Sequence, residues 1–432
     1  MLLRFPNAPA RLAVAILALA LAATLAYSSV RNARAAYHAS LGTRAGFEAA
    51  TRLEPGNAEN WYLLGRYWQY SLEDPDASHA IQNYRHSLAL NSRSADTWLD
   101  LAAVYESEGD LHNARDAFLQ AKRAYPLSAA VSWRYGNFLL RQDEIPQAFA
   151  EIRSAAYSDP RRSAEAFSRC WRVAPDVNAI LDTVLPPDRD GYLAVIRELG
   201  SGDQLSAALT VWHRLVAIHP TLQLSDAVPF ADLLIQKQHI GDARRVWDDA
   251  LRLANTPRNL DPPGSVLWDG GFETGVIGGG FAWFLPYPSG GVRSVYDPRQ
   301  KHSGKYSLRL TFDGRHNPNF DGLCTNAEVR PETSYRLSAW VRTQSLTTDQ
   351  GVRLRLIWHA ESRPGSFLDT PDVQGTQPWT LLEVPWTSGK DVRYARVCIM
   401  RSASARFDNQ IQGTAWIDDV ALVPGVSANS RP

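Results

Sequence analysis

Two adjacent carboxylates stand in an apolar segment near the end of the chain. In "GTAWIDDVALVP", from Gly413 to Pro424, Asp418 and Asp419 lie among residues typical of a packed β-strand. Neighbouring carboxylates repel each other, and burying them costs free energy unless they are paired, hydrogen-bonded or bound to a cation. The pair therefore predicts either a cation site or a hydrogen-bonded strand end without a metal. Both alternatives stay open on these residues alone.

The sequence carries no common catalytic or nucleotide-binding motif. It contains no G-x-S-x-G, H-E-x-x-H, P-loop or G-x-G-x-x-G pattern. The stretch "GVIGGGF", from Gly275 to Phe281, is glycine-rich, but no helix follows it and we interpret it as a loop. A glycosidase needs two carboxylates held across a cleft, and no such pair stands out. We therefore expect a non-catalytic protein with no organic cofactor, and a glycan-active enzyme is the weaker alternative.

Charge and cysteine content narrow the classes further. The 432 residues include 45 basic and 45 acidic side chains, which argues against a nucleic-acid-binding protein because such proteins need a basic surface. The cysteines are Cys170, Cys324 and Cys398, and no C-x-x-C spacing suggests zinc. Three buried free thiols are the favoured expectation. In an oxidising compartment, Cys324 and Cys398 could pair and leave Cys170 free.

The N-terminus predicts a membrane segment. Nineteen residues without a charge lie between Arg11 and Arg31, about the length that a helix needs to cross the hydrocarbon core. We favour an uncleaved single-pass anchor in residues 1–35 that contacts the lipid bilayer. The alternative is a secretory signal cleaved at Ala33-Arg34-Ala35, which would leave a secreted or periplasmic protein.

Residues 36–255 are predicted to be helical, and they repeat. The clearest unit begins at Ala95, and the next repeats its pattern 34 residues later, with Ser132 in the place of Trp98. This pattern resembles the tetratricopeptide repeat, in which small residues let two helices approach and hairpins stack into an array. The resemblance implies a groove that binds a protein partner. We expect the following residues to pack the hairpins: Trp61, Leu64, Gly65, Trp98, Leu101, Ala102, Tyr105, Ala114, Phe118, Ala121, Pro126, Gly136, Ala148 and Pro160.

The repeat pattern weakens after Pro160 and ends at a Pro- and Gly-rich segment. It is interrupted at "LPPDRDG" and returns in part around Trp212 and Trp247. Residues 256–265 are predicted to be a linker, because proline and glycine break regular structure. Beyond it the hydrophobic period changes from 3.6 to 2, as in "YRLSAWVRT" and "GVRLRLIWH". Short alternating strands predict an antiparallel β-sandwich over 266–425, with a tail at 426–432. The fold class is thus a helical solenoid followed by a β-sandwich.

The second half contains a series of motifs that together resemble carbohydrate-binding modules and their galactose-binding-like relatives, which are jelly-roll sandwiches. In order, they are "LWDGGFETG", "KHSGKYSLRL", "YRLSAWVRT", "QPWTLLEVPW" and "GTAWIDDVALVP", spanning about 268–424. In that family the opening turn, the Ser-Gly turn and the acidic pair commonly meet at a structural calcium ion. The resemblance implies side-chain ligands from Glu273 and from Asp418 or Asp419, with backbone carbonyls near His302 and Ser303.

Sugar binding is a separate expectation. Sugar rings stack on exposed aromatic side chains, and the candidates are Trp283, Tyr287 and Trp340. Trp340 could share an outward face with several cationic side chains, which would suit an acidic glycan. The alternative is a solvated face with extended arginines. The cationic candidates are Arg342, Arg353, Arg355, His359 and Arg396.

These expectations combine into a membrane-anchored scaffold of the cell envelope, with residues 31–432 outside the cytoplasm. The repeats would bind a protein, and the sandwich would bind a polysaccharide, in a role such as exopolysaccharide assembly. The alternative is a sandwich that is purely structural or protein-binding. Exposure of Trp283 and Trp340 would favour the first, and their burial would favour the second.

Overall fold

The computed structural model describes residues 8–257, 262–275, 277–285, 290–360 and 363–425. The chain forms two compact units, Met1–Pro186 and Pro187–Pro432. The first contains ten α-helices, and the second contains four α-helices followed by two β-sheets in the parts of the chain that are described. The predicted fold class is confirmed: helical hairpins precede an antiparallel sandwich.

The helices of the first unit begin where side chains cap their free N–H groups. Asn57, Asp76, Ser94, Asp110 and Ser128 each accept a hydrogen bond from a backbone N–H of the first turn. The helices are α1 (Ala8–Ser40), α2 (Arg44–Leu53), α3 (Ala58–Tyr70), α4 (Ala77–Leu90), α5 (Ala95–Ser107), α6 (Leu111–Ala124), α7 (Ala129–Arg141), α8 (Ile145–Ser158), α9 (Ser163–Val173) and α10 (Val177–Thr183).

Helix α1 is long and apolar enough to cross a membrane. Its candidate span runs from Arg11 to Ser40, and the most apolar stretch is not buried in the protein. A signal sequence would pass the same test of length and composition. The helix continues without a break through Ala33-Arg34-Ala35, and Ala35 is buried. The apolar segment is therefore confirmed, whereas the choice between an anchor and a signal is not made by these features.

Small residues bring the two helices of a hairpin together. A Cβ atom added to Gly65 would lie 2.7 Å from the Tyr84 ring, and one added to Gly136 would lie 2.8 Å from Ile152 Cγ1. Neither distance leaves room for a side chain, so glycine is required at both positions. Other members of the predicted packing set are also buried: Leu64, Leu101, Ala102, Tyr105, Ala114, Phe118, Ala121 and Ala148.

Four members of the predicted packing set are not in the core. Trp61 and Trp98 are only partly buried, and each indole N–H donates to a carbonyl six residues earlier, that of Pro55 and that of Ser92. A partly buried indole N–H needs a hydrogen-bond partner, and here it binds the turn that precedes the helix. Pro126 and Pro160 are exposed just after α6 and α8, where a proline ends a helix without packing.

The second unit joins four helices to the sandwich. They are α11 (Arg189–Ser201), α12 (Leu205–Ala217), α13 (Leu224–Gln236) and α14 (Ile240–Leu253). Trp247 of α14 is fully buried, with its ring centroid 5.5 Å from that of Trp268 and 6.3 Å from that of Phe281. Gly280 N–H also donates to Asp232 of α13 at 2.8 Å.

The two compact units divide the chain differently from the predicted domains. The first unit ends at Pro186, inside the range 36–255 that was expected to be one repeat domain. The expected linker at 256–265 lies inside the second unit, where Trp247 before it packs against Trp268 after it. Its residues 258–261 and the predicted tail 426–432 lie outside the described residues.

The sandwich consists of two antiparallel sheets. Their strand orders are β1-β2-β9-β4-β7 and β3-β8-β5-β6. Buried residues alternate along β4, where Leu337, Ala339 and Val341 enter the core and the residues between them face outward. The strands are β1 (Val292–Asp297), β2 (Ser307–Asp313), β3 (Phe320–Glu328), β4 (Ser334–Leu346), β5 (Arg353–Ala360), β6 (Arg363–Asp369), β7 (Gly375–Thr387), β8 (Tyr394–Arg401) and β9 (Gln412–Pro424).

The expectation of three free thiols is wrong. Cys324 of β3 and Cys398 of β8 lie directly opposite each other and form a disulfide. The strand register, which the sequence does not reveal, places the two sulfur atoms within bonding distance. Cys170 is free and fully buried in α9, and burial raises the pKa of its thiol to about 12.

Candidate functional site

The acidic pair holds a turn on the outside of the five-stranded sheet. Asp418 is buried, and its Oδ2 accepts hydrogen bonds from the backbone N–H of His302 at 2.7 Å and of Ser303 at 3.1 Å. Asp419 has a φ of 49°, which breaks strand alternation. Both aspartates therefore reach the same turn, and Asp419 binds the Nδ1 of His302 and the hydroxyl of Ser303, each at 2.6 Å.

Glu273 binds the same turn from a second side. Its Oε1 accepts from the backbone N–H of Lys305 at 2.7 Å and of Tyr306 at 3.3 Å. Gly304 has a φ of 56°, and a Cβ there would overlap the Glu273 carboxylate. Glycine is therefore needed at the centre of the turn. The three acids expected from the resemblance thus converge on residues 302–306.

The donor set around these acids does not match a calcium site. Calcium takes six to eight oxygen ligands with free lone pairs. The turn presents N–H and O–H groups to the carboxylates, and Asp418 Oδ1 accepts the N–H of Asp419. Among the residues that the structure describes, no group of three His, Cys, Asp or Glu side chains could hold a metal. Calcium remains a prediction of the resemblance.

Burial perturbs the carboxyl group of Asp418. The buried position raises the pKa of this carboxyl from 3.8 to about 6, the hydrogen bonds from His302 and Ser303 oppose that rise, and the charge of Asp419 adds to it. Burial therefore destabilises the charged form of Asp418.

A cleft of about 430 Å³ opens beside this turn. Trp340 and Ser338 project from β4 on one side of it, and Ser303 and Asp419 contribute polar atoms on another. The Ser338 hydroxyl has no hydrogen-bond partner among the described residues, so it is available to a ligand. The remaining lining residues are Pro262, Pro263, Gly304, Ala421 and Val423.

The aromatic side of the cleft is preorganised. The imidazole of His302 stacks on the indole of Trp340, with centroids 4.2 Å apart and planes 13° from parallel. Trp379 of β7 meets the same imidazole edge-on at 5.6 Å. Because Asp419 holds the imidazole, the indole has a supported orientation. An indole held in place beside the free hydroxyl of Ser338 is a combination that can stack on a sugar ring and hydrogen-bond to it.

One predicted platform is buried. Trp283 is fully inaccessible, and its indole N–H donates to the carbonyl of Asp269 at 2.7 Å. It therefore cannot present a face to a sugar, and this expectation is corrected: Trp283 packs in the sandwich core against Phe272. Tyr287 lies outside the described residues.

The predicted cationic face is also corrected. Arg342 lies on β4 near Trp340, but Arg353, Arg355, His359 and Arg396 lie on strands of the other sheet. Side chains that face outward from two different sheets of a sandwich lie on its opposite sides. The cleft lining includes no lysine or arginine.

Most of these cations are already partnered. Arg355 forms a two-bonded ion pair with Asp369 at 2.6 and 2.7 Å, and Arg353 lies 3.6 Å from Asp372. Arg396 donates to Asn326 at 3.2 Å, and the His359 Nδ1 accepts from Gly365 N–H at 3.1 Å. Side chains that are already paired or hydrogen-bonded within the protein have few free groups with which to bind a ligand.

The first unit carries a polar cluster on one side of its hairpins. The Asp100 carboxylate of α5 accepts from the hydroxyl of Tyr62 and from Arg134, each at 3.0 Å, and lies 3.8 Å from Arg66. Burial and the Asp100 charge both raise the pKa of Tyr62, so this hydroxyl stays protonated. The cluster links α3, α5 and α7, while Arg66 and Tyr70 remain exposed beside it. This surface is the candidate for a protein partner.

Sequence reasoning missed several residues of the cleft. Ser338 alternates with Trp340 on β4, so strand periodicity could have identified it. Pro262, Pro263 and Val423 reach the cleft only through the tertiary fold, and no local pattern marks them. The stacking of His302 on Trp340 depends on contacts between residues 38 positions apart.

Comparison with known proteins adds a likeness of fold. No family model and no curated protein matches the chain. Among solved structures, the CBM22-1 xylan-binding domain of Paenibacillus barcinonensis Xyn10C is 16% identical, with 39% of this chain and all of that chain covered and a TM-score of 0.28. YrrB, a tetratricopeptide-repeat protein with an unusual peptide-binding site, is 15% identical, covering 49% and 94%, with a TM-score of 0.25. Pseudomonas aeruginosa PilF is 16% identical, covering 52% and 95%, with a TM-score of 0.27.

These likenesses are of the two kinds that the sequence predicts, helical repeats and a carbohydrate-binding-module-like sandwich. All three TM-scores are below 0.5, so no function is transferred from these proteins. The fold is established by the hairpins and sheets of this chain.

Proposed function

We propose that this protein is a non-catalytic, membrane-tethered scaffold outside the cytoplasm whose sandwich binds a neutral polysaccharide. The observation that carries the proposal is the cleft beside Trp340, where a supported indole meets the free hydroxyl of Ser338 and the lining includes no cation. A carboxylate-bearing glycan would lack a counter-charge there and would meet Asp419. A neutral glycan is therefore favoured over the acidic one suggested by the sequence.

The disulfide supports an extracytoplasmic location. Disulfides such as Cys324–Cys398 form and persist in oxidising compartments and are rare in the cytosol. Helix α1 would serve as the uncleaved anchor of this scaffold. The first unit would then hold a protein partner on the surface beside Asp100. A place in exopolysaccharide assembly is the corresponding cellular role.

One observation favours a second candidate function. Because Trp283 is buried, Trp340 is the only one of the three predicted platforms that the described residues leave partly exposed. A sandwich with a single platform could instead be structural or protein-binding. A glycan-active enzyme would require hydrolysis that is lost on changing one carboxylate.

The test is a binding measurement on the full chain in a zwitterionic detergent, which avoids sugar headgroups. A panel of neutral and acidic polysaccharides, including xylan, would be compared for wild type, Trp340→Ala and Phe367→Ala. Phe367 is 56% exposed on the four-stranded sheet and is a matched control for loss of an aromatic surface.

We expect a neutral polysaccharide to bind and Trp340→Ala to weaken it about fivefold or more, because an aromatic contact is worth about 1 kcal/mol. Phe367→Ala should leave binding unchanged. Absence of binding to every neutral glycan, or equal loss in the two variants, would leave the structural alternative.

A further inference from the structure

A second, larger cleft lies within the Pro187–Pro432 unit, away from Trp340. It has a volume of about 890 Å³ and is formed by the start of α14, the segment that links β3 to β4, and the residues just before β8. Ligand pockets of this kind commonly occupy about 300–1,000 Å³. The charged and titratable lining residues are His239, Asp242, Arg244, Arg245, Glu328, Arg330 and Arg393.

Two arginines of this cleft, Arg330 and Arg393, lie on a hydrogen-bonded backbone, and their guanidiniums have no partner among the described residues. Arg330 N–H donates to the Tyr335 hydroxyl at 2.8 Å, and the Arg330 carbonyl accepts from Ser388 at 2.6 Å. Val329 N–H donates to the carbonyl of Arg393 at 3.0 Å, which holds the two arginines on neighbouring segments. Both arginines are exposed, and in the described parts of the chain neither guanidinium has a hydrogen bond or an ion pair.

The other two arginines are already neutralised. Arg245 pairs with Asp242, and Arg244 lies 3.1 Å from Asp248 and stacks over the Phe281 ring at 5.4 Å. The cleft therefore combines the free positive charge of Arg330 and Arg393 with one exposed carboxylate, that of Glu328. Glu328 lies close to Gly241 at the start of α14, because its Oε1 would be 3.9 Å from a Cβ added to that glycine.

This charge pattern selects among anions. A dense polyanion would meet the Glu328 carboxylate as well as the two guanidiniums. A chain with isolated carboxylates can place them at Arg330 and Arg393 and direct a cation or a polar group to Glu328. A sugar ring would find no exposed phenol or indole face, because Tyr335, the only Phe, Tyr or Trp among the described lining residues, is 3% exposed. A peptide needs no such platform, and the partly exposed Val266 and Pro331 can contact its side chains.

We propose that this cleft binds an acidic peptide segment of a partner protein, with two carboxylate side chains paired to Arg330 and Arg393. The site is independent of glycan binding beside Trp340. The protein would then hold a peptide and a glycan on one unit, at separate clefts.

The proposal can be tested by fluorescence anisotropy on the detergent-solubilised full chain. The probe is a fluorescein-labelled heptapeptide with two glutamates flanking a lysine, compared with the same peptide in which both glutamates are glutamine. The protein variant is Arg330→Gln with Arg393→Gln. The matched control is Arg293→Gln with Arg299→Gln, which removes two exposed charges from the same sandwich outside the cleft.

We expect the glutamate peptide to bind wild type, and the Arg330/Arg393 double variant to bind it about tenfold more weakly or worse, because two charge-assisted contacts are lost. The Arg293/Arg299 control and the Trp340→Ala variant should bind it as wild type does. Equal binding of the glutamine peptide, or equal affinity of the two double variants, would overturn the site. Displacement of the peptide by oligogalacturonate at lower concentration than by unlabelled peptide would overturn its assignment to peptides.

Discussion

The two outer faces of the sandwich carry similar residue types but present different surfaces to a ligand. On the five-stranded sheet, acids are satisfied by backbone N–H groups and an imidazole, which leaves Trp340 and Ser338 beside an open cleft. On the four-stranded sheet, cations are satisfied by carboxylates, as in the Arg355–Asp369 pair. The difference shows that a charged residue is available to a ligand only when its own fold leaves it unpaired.

Strand register produces this difference. Arg355 of β5 lies directly opposite Asp369 of β6, so opposite charges meet across the strands. Trp340 of β4 lies opposite Asp418 of β9, where the aromatic ring borders an acid that is held by a turn. The strand register therefore determines which residues are neighbours on each face, and so which groups remain free to bind a ligand.

The largest expected difference between the two faces is in stability, and it should follow removal of the disulfide on the four-stranded sheet. Replacing Cys324 and Cys398 by serine should lower the free energy of unfolding of the second unit by about 4 kcal/mol, since the bond closes a loop of 74 residues. Urea unfolding followed by tryptophan fluorescence measures the loss. Glycan binding beside Trp340 should persist in the folded variant, because that cleft is on the opposite sheet.

A thiol count provides the control. Denatured protein without reductant should show one reactive thiol, from Cys170, and reduction should raise the count to three. Native protein should show none at neutral pH, because Cys170 is buried and its thiol pKa is raised to about 12. Three reactive thiols before reduction would contradict the disulfide.

The next effect concerns the buried carboxyl group of Asp418. Burial raises the pKa of Asp418 above its unfolded value of 3.8, to about 6. Between these two values the folded chain keeps this proton and the unfolded chain has lost it. The stability contributed by this carboxyl is therefore fully present below about pH 4, falls as the pH rises to about 6, and then levels off. The loss should approach about 3 kcal/mol. In Asp418→Asn this part of the pH dependence should disappear, as chemical unfolding at a series of pH values would show.

The same titration tests the calcium prediction. We expect the slope of wild type to be equal in excess calcium and in a chelator, because N–H donors already engage the carboxylates. A slope that vanishes in calcium would mean that a cation holds Asp418 ionised and would support the ligands that the resemblance implies. Parallel curves for wild type and Asp418→Asn in the chelator would refute the burial argument.

The sequence allows the architecture and the acidic turn to be predicted because both depend on local patterns. The change of hydrophobic period separates helices from strands, and the spacing around Gly65 and Gly136 identifies the hairpins. Glu273, His302, Ser303, Asp418 and Asp419 do meet in space, as the family resemblance implies. Their contacts are hydrogen bonds, and the resemblance alone could not distinguish these from metal coordination.

The features that could not be predicted from the sequence depend on which strands are neighbours in the sheets. Alternation correctly placed Arg355 and Trp340 outward, but it could not say that they belong to different sheets. The Cys324–Cys398 bond and the burial of Trp283 likewise follow from register and from the path of the segment after Trp268. The charged cleft at Arg330 and Arg393 joins segments more than 60 residues apart and has no sequence signature.

The smallest expected effect is the loss of stability on removing a single ion pair, which can be compared between the two faces. Arg355→Ala should cost about 1 kcal/mol, because the side chain is only 24% exposed and its guanidinium makes two hydrogen bonds to Asp369. Arg336→Ala is the matched change on the five-stranded face, where a side chain that is 71% exposed lies 3.8 Å from Glu383. It should cost less than about 0.5 kcal/mol, since exposed ion pairs add little. Equal losses in urea unfolding would mean that the paired arginines are no better held than the solvated one, and the four-stranded face would then have cations to offer a ligand.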